Sequence, residues 1–286
     1  MATHRFAARA AFSLVVVALG GLLLLPPQFA REKDAKKFSK RAEANLEARK
    51  KAIQQELETL KVDSWAGSYY YGDGLGVNVE LSLAPKSGFT FTWNGCLGLY
   101  DMNYGDVEES DGKLRLALEL PNEHKPFQGI APEFLPVRWG DRHYLIPSNE
   151  VVGFANAIDA GLEPREGVQG LFLLRRDDVS KSAKGSPNLP VEYSGYLLKN
   201  PIDAEISSIK SSYAKDSGRL TTVLLNAGAS KGVKKGMEFY LHAPSGLYES
   251  ATVTGVNNTS SEAEIFQWSD DKAESPAVGW KLSTHD

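Results

Sequence analysis

The chain has 286 residues, 42% hydrophobic and 24% charged, with 26 glycines, 14 prolines and 10% aromatic residues. This balance describes one or two globular domains rich in strands and turns, and excludes disordered and collagenous chains. A single cysteine, Cys96, excludes intrachain disulfides, cysteine-based zinc clusters and CxxC redox pairs, and a net charge of −4 leaves no basic footprint for nucleic acid.

The charge is unevenly spread. Residues 1–30 carry Arg5 and Arg9, and residues 31–62 carry ten Lys/Arg against six Asp/Glu. Residues 63–286 then hold 20 basic and 30 acidic side chains. So acidic a body repels phosphates, so no nucleic-acid partner is expected. The basic excess lies beside a hydrophobic segment, where it would meet anionic lipid headgroups.

That segment comes first in the chain. Residues 10–25 form an uncharged run, preceded by Arg5 and Arg9. A positive start and an apolar run are the layout of a secretory signal. As a helix the run would measure about 24 Å, and continuing to Ala30 brings it close to the thickness of a bilayer core. A signal peptidase prefers small side chains at −3 and −1; before Arg31 those positions hold Gln28 and Ala30. Residues 1–30 therefore read as an uncleaved signal anchor, with membrane lipid as partner of residues 10–30 and the N-terminus inside. Cleavage is the alternative.

Residues 31–62 contain no Gly or Pro and are rich in helix formers. They read as a helical stalk. Leu46, Ile53, Leu57 and Leu60 fall near one face, with Ala42 above them. That face serves either a dimerising coiled coil or a single amphipathic helix resting on the body or projecting as a spacer.

After Trp65 the hydrophobic period changes to two. Leu75, Val77, Val79, Leu81 and Leu83 alternate with polar or small residues, as do Phe89, Phe91, Trp93 and Leu114, Leu116, Leu118, Leu120. These are one-sided antiparallel strands. Turns are expected at residues 85–88 and at Asp111-Gly112, and residues 137–145 form a hairpin around Gly140-Asp141. Ser148 caps a short helix with Val151, Val152, Phe154, Ala155 and Ile158 on one stripe, ended by Gly161. A strand over 170–174 follows. Residues 63–176 thus form an antiparallel β domain, barrel or sandwich, with one short helix. Residues 177–190 lack apolar periodicity and read as a linker, cut first by a nonspecific protease.

Residues 191–286 form a second β domain, with strands near 191–198, 202–209, 219–226, 237–243, 247–256, 262–268 and 277–283. The most patterned tract runs from Thr222 to Leu241: a strand, a turn punctuated by Gly228, Gly232 and Gly236, then another strand. With Ala-x-Val-x-x-Val after it and a strand ending near Ile265, the tract 223–265 resembles small β-barrels of bacterial envelope proteins. It is similar to the C-terminal domain of flagellar assembly protein T. It also resembles the periplasmic β domain of rod-shape-determining proteins, which share a membrane helix followed by a helical stalk. This resemblance implies a small barrel and a scaffolding role; it carries over no active site. Trp65-x-Gly67 and the short strands behind it resemble lipocalin-like meanders, which implies a barrel whose interior takes a small apolar ligand.

Other chemistries fit poorly. Gly228-Ala-Ser230-Lys-Gly232 matches the GxSxG nucleophile elbow, with Asp270, Asp271 and His285 downstream, but a strand rather than a helix follows Ser230. Gly72, Gly74 and Gly76 have the look of a phosphate cradle, yet a strand follows there too. None of His4, His124, His143, His242 and His285 has metal-ligand spacing. His143 reads as hydrogen-bonded or solvent-facing on a strand, or else facing a pocket with Asp141. Cys96 reads as a buried structural thiol. Tyr69, Tyr70, Tyr71, Trp93 and Tyr100 read as strand packing or a ligand groove.

The whole is mainly β: an N-terminal membrane helix and helical stalk, then two antiparallel β domains. The expected function is that of a non-enzymatic, membrane-anchored scaffold or adaptor binding other envelope proteins, with no catalytic, metal or cofactor residues. The expected location is the bacterial cell envelope: a single pass through the inner membrane, with the body in the periplasm or outside the cell. The alternative is a lipocalin-like binder of a small or lipidic ligand in residues 63–176.

Overall fold

The computed structural model describes residues 38–60, 65–72, 74, 76–123, 128–162, 172–215, 218–243, 249–268 and 274–286. The expected anchor over 1–30 lies outside the described residues, as do both ends of the expected stalk, His4, His124, Asp270 and Asp271. Among the described residues no helix is long and apolar enough to cross a membrane. The chain divides into two compact units, residues 1–151 with 164–188 and residues 152–163 with 189–286. Each unit contains one closed antiparallel barrel.

The first barrel is an up-and-down meander. Its strands are β1 (Gly67–Gly72), β2 (Val77–Ala84), β3 (Gly88–Gly95), β4 (Gly98–Ser110), β5 (Lys113–Leu118), β6 (Glu133–Trp139), β7 (Arg142–Pro147) and β8 (Leu173–Arg175). Each pairs with the next, and β8 closes on β1 with Tyr69 opposite Arg175. The period-two pattern becomes a cross-strand ladder. Leu81 lies opposite both Tyr69 and Phe91, and Leu83 lies opposite Phe89. With Leu114, Phe134, Leu145 and Leu173 they form one buried cluster, so large side chains fill the barrel interior. Between β4 and β5, Asp111 and Gly112 both take positive φ, 55° and 72°, as a two-residue hairpin loop requires.

Two sequence expectations change here. Cys96 is exposed, not buried. It sits with Leu97 between β3 and β4, where Gly98 at φ 102° permits the reversal. The helix expected as a stalk, α1 (Lys40–Thr59), packs on β2, β3 and β4 of its own chain. Ser39 caps it by accepting from the Ala42 N–H. Ala42, Leu46 and Ile53 are buried, the first two against Met102 and Tyr104. Arg49 Nη1 donates to the carbonyls of Ser87 and Gly105, and Glu56 accepts from the Lys86 and Ser87 N–H groups. The apolar seam that a coiled coil would need is therefore spent on the barrel, leaving the amphipathic helix resting on the body.

The second unit holds helix α2 (Val151–Asp159) from Val152 onward, which the sequence had grouped with the first β region. The strand expected over 191–198 is instead a helical turn, α3 (Val191–Ser194), in which the Tyr193 N–H donates to Pro190 O. Pro190 supplies no donor of its own and favours such a start. Six strands follow: β9 (Asp203–Lys215), β10 (Gly218–Leu225), β11 (Glu238–Ala243), β12 (Ser250–Val256), β13 (Ser261–Trp268) and β14 (Lys281–Ser283). Around the barrel the order is β9, β10, β13, β12, β11, β14, closing on β9. Ile206, Val223, Leu225, Phe239, Val253 and Ile265 line its core.

The glycine-punctuated tract forms the turn between β10 and β11. Residues Ala229–Lys231 make one 3-10 turn, and Gly232 and Gly236 take φ of 90° and 87°. A side chain at Gly236 would also press on Val152 Cγ1 at 3.2 Å. Gly236→Val should therefore cost about 1–3 kcal/mol, whereas Ser230→Ala, in the exposed part of the same turn, should stay within about 0.5 kcal/mol. Chemical denaturation of the two variants measures this; equal tolerance would overturn the assignment.

Candidate interaction surface

Strand β9 outruns its closing partner. Glu205, Ala204 and Asp203 pair with β14, and Ile206 bonds to the backbone of Gly279 and Trp280. From Ser207 onward, among the described residues, only β10 pairs with it. Residues 207–215 thus present one strand edge with no strand beside it. The register is regular from Ser211 to Lys215 and shifts between Thr222 and Val223 of β10.

One face of this extension is aromatic. Leu220 lies opposite Tyr213 on one side and Phe266 on the other, and Gly218 lies opposite Lys215 and Trp268. Tyr213 is 52% exposed and Trp268 60%. Phe266 and Trp268 meet edge to face, with centroids 5.1 Å apart. A Cβ on Gly218 would lie 2.6 Å from Phe266 Cζ, so the glycine makes room for that ring. The opposite face is polar: Thr221 and Gln267 are buried there, Ser212 and Ala214 are exposed, and the Ser212 and Thr221 hydroxyls are 3.0 Å apart. Exposed aromatic rings on a sheet face beside an open edge make this region a candidate interaction surface.

Buried charge marks two further places. In the first unit, Asp178 is fully buried. Its carboxylate accepts from the His143 N–H and from His143 Nδ1, each at 2.7 Å, and from Lys181 Nζ. Burial pushes this carboxyl up, but those bonds outweigh it and hold it below the usual range. Arg142 Nε donates to Lys181 O at 2.6 Å and Trp139 Nε1 to Gly185 O at 2.7 Å. The stretch read as a linker is thus fastened along the first barrel, because the side chains that bind it lie far away in sequence. His143 lines a depression of about 470 Å³ with Arg138, Asp141, Ser180, Lys181 and Ser182.

In the second unit, burial pushes Asp159 up to about 6, against the opposing effect of the Leu198 N–H that it accepts. Tyr240 is pushed above the usual phenol range, first by burial and then by Glu238, which accepts its hydroxyl at 2.9 Å.

The remaining sequence candidates do not converge. His285 Nδ1 donates to Asp159 O at 3.0 Å and His242 Nε2 to His285 O at 2.6 Å, so His285 turns to the backbone of α2. Ser230 lies in its 3-10 turn, and strand β2 follows the Gly72–Gly76 loop. Among the described residues no group of three or more His, Cys, Asp or Glu is placed to hold a metal ion. Sequence reasoning missed the open edge and Asp178. The exposed aromatic alternation at Phe266 and Trp268 was the available signal for the first.

These features define a two-barrel β protein with an exposed strand edge. No protein-family description matches the chain, and neither a curated protein nor a solved structure is significantly similar to it.

Two outcomes follow from the buried carboxyls. Asp178→Ala should cost about 1–3 kcal/mol and make residues 177–190 more susceptible to limited proteolysis than in the unaltered chain. Because the native Asp178 carboxyl titrates low, its contribution is present above the ordinary carboxylate range and is lost as pH falls through the native value. Asp159 behaves oppositely: its native carboxyl titrates high, so stability is gained as pH falls through about 6 and is lost as pH rises. Asp159→Asn keeps an acceptor for Leu198 and should raise Tm by about 2–4 °C at pH 7.5, with the difference shrinking as pH falls below about 6 and vanishing only below the ordinary aspartate value of 3.8.

Proposed function

We propose that this chain is a non-enzymatic scaffold or adaptor of the bacterial cell envelope. Residues 10–30 anchor it in the inner membrane, and its barrels lie in the periplasm or outside the cell. The observation that carries the reading is the open edge of β9 with Tyr213, Phe266 and Trp268 beside it. An isolated protein gains nothing from exposing these groups, whereas an adaptor needs such a surface. The likeness of residues 223–265 to the small barrels of flagellar assembly protein T and rod-shape-determining proteins supports the same role. The meander of the first barrel supplies the topology of a ligand binder. However, Tyr69, Leu81, Phe89, Phe91 and Phe134 occupy its interior, which favours a structural part for that barrel.

The test is crosslinking in intact bacteria that make the full chain. A photoreactive residue replacing Tyr213 or Trp268 should capture the same envelope protein, and one replacing Lys86 on the first barrel should not. The chain should also remain in carbonate-washed membranes with its first thirty residues attached. Equal capture from all three positions, or a mature chain beginning at or beyond Arg31, would sink the reading.

A further inference from the structure

We infer that the β9 edge binds its partner by strand addition, and that the partner supplies an extended segment carrying apolar residues on one face and a carboxylate on that same face. This rests on the adaptor reading and names the chemistry of its partner.

Three features point to it. First, residues 207–215 are already in strand conformation and contain no proline. Along an open edge, backbone N–H and C=O groups point outward, ready to bond an added strand. Natural edges are commonly blunted; here the irregularity lies near Lys210, and residues 211–215 keep a regular register. Serines and alanine occupy three of those five positions, so an incoming backbone meets little steric bulk.

Second, the side chains divide cleanly by face. Tyr213 and Lys215 share the face of Leu220, Phe266 and Trp268, while Ser212 and Ala214 share the other. An added strand alternates likewise. Its residue opposite Tyr213 extends the row Tyr213, Leu220, Phe266 and gains from being apolar. Its residue opposite Lys215 lies on the same face two positions away.

Third, the edge has a sign. Lys210 and Lys215 are the charged residues of 207–215, and both are positive. Lys210 already bonds Glu262. Lys215 is the position at which a carboxylate would be selected and a cation rejected. The same fact disfavours a second copy of this chain as occupant. Two β9 edges centred on Tyr213 would set each Lys215 opposite a Ser211 and bring no carboxylate to either.

The probe is a seven-residue capped peptide alternating threonine with glutamate, valine and valine. The glutamate is placed to lie opposite Lys215 in an antiparallel pairing. The full chain in detergent is followed by amide hydrogen exchange. Saturating peptide should slow exchange at residues 211–215 about tenfold or more. Replacing its glutamate by lysine should weaken binding about tenfold, and Lys215→Glu in the protein should invert that preference. N-methylation of alternate peptide amides should abolish protection. Protection that survives N-methylation, a preference indifferent to Lys215→Glu, absence of protection, or self-association through 211–215 would each overturn strand addition by such a segment. If crosslinks from Tyr213 persist in any of these cases, the adaptor reading stands and only this mode of recognition falls. If the crosslinks are absent, the adaptor reading falls itself.

Discussion

Closure of the sheets is the constraint on which this structure depends. A barrel removes the open edges of an antiparallel sheet only where its first and last strands are matched in length. In the first unit the three-residue β8 closes on β1 across Tyr69 and Tyr70. In the second, β14 has three residues and β9 thirteen. The mismatch leaves most of β9 with a single neighbour. Residues near the closure pack into the core through Ala204, Ile206 and Leu282. Residues beyond it extend past the closure, and there the sheet carries an aromatic face.

The two units use charge in opposite ways. Around Asp178 the bonds from His143 and Lys181 more than offset desolvation, so a buried carboxylate becomes a fastening between a barrel strand and a polar segment. Around Asp159 a single backbone N–H is insufficient against burial, and the carboxyl titrates near neutrality. Glu133 shows a third balance on the outer surface of the first barrel. Hydrogen bonds from Lys113 and Arg115 pull it down to about 2, beside the short pairing of β5 with β6.

The proposed role follows from which surfaces have been used. In the first unit the interior is filled, α1 covers β2 to β4, and the 176–188 segment is fastened along the wall. His143 and Asp178 hold the 177–190 segment to the barrel, and His285 bonds the end of α2. Among the described residues, Tyr213, Phe266 and Trp268 are exposed together on the β9, β10 and β13 extension. We propose that this patch is an interaction surface, in a chain otherwise acidic beyond residue 62.

Local pattern alone determined much of this fold. Period-two alternation from Val79 to Leu83, from Phe89 to Trp93 and from Leu114 to Leu118 identified strands, because half-buried antiparallel strands need that alternation whatever they pair with. Asp111-Gly112, Gly140-Asp141 and the glycines of 228–236 identified turns, because few residues accept positive φ. Lack of Gly and Pro marked α1. Tertiary structure alone decided where those elements went. Leu46 and Ile53 show the same spacing whether they face a second helix or a barrel. Residues 177–190 look like a linker until His143, Arg142 and Trp139, all more than 30 positions upstream, supply their partners. The open edge is the clearest case: Ser207 to Lys215 reads as an ordinary strand, and only the three-residue length of β14, some 70 residues away, leaves it without a second neighbour. Hydrogen bonding between strands is non-local, so the sequence of one strand cannot state how much of it will be covered.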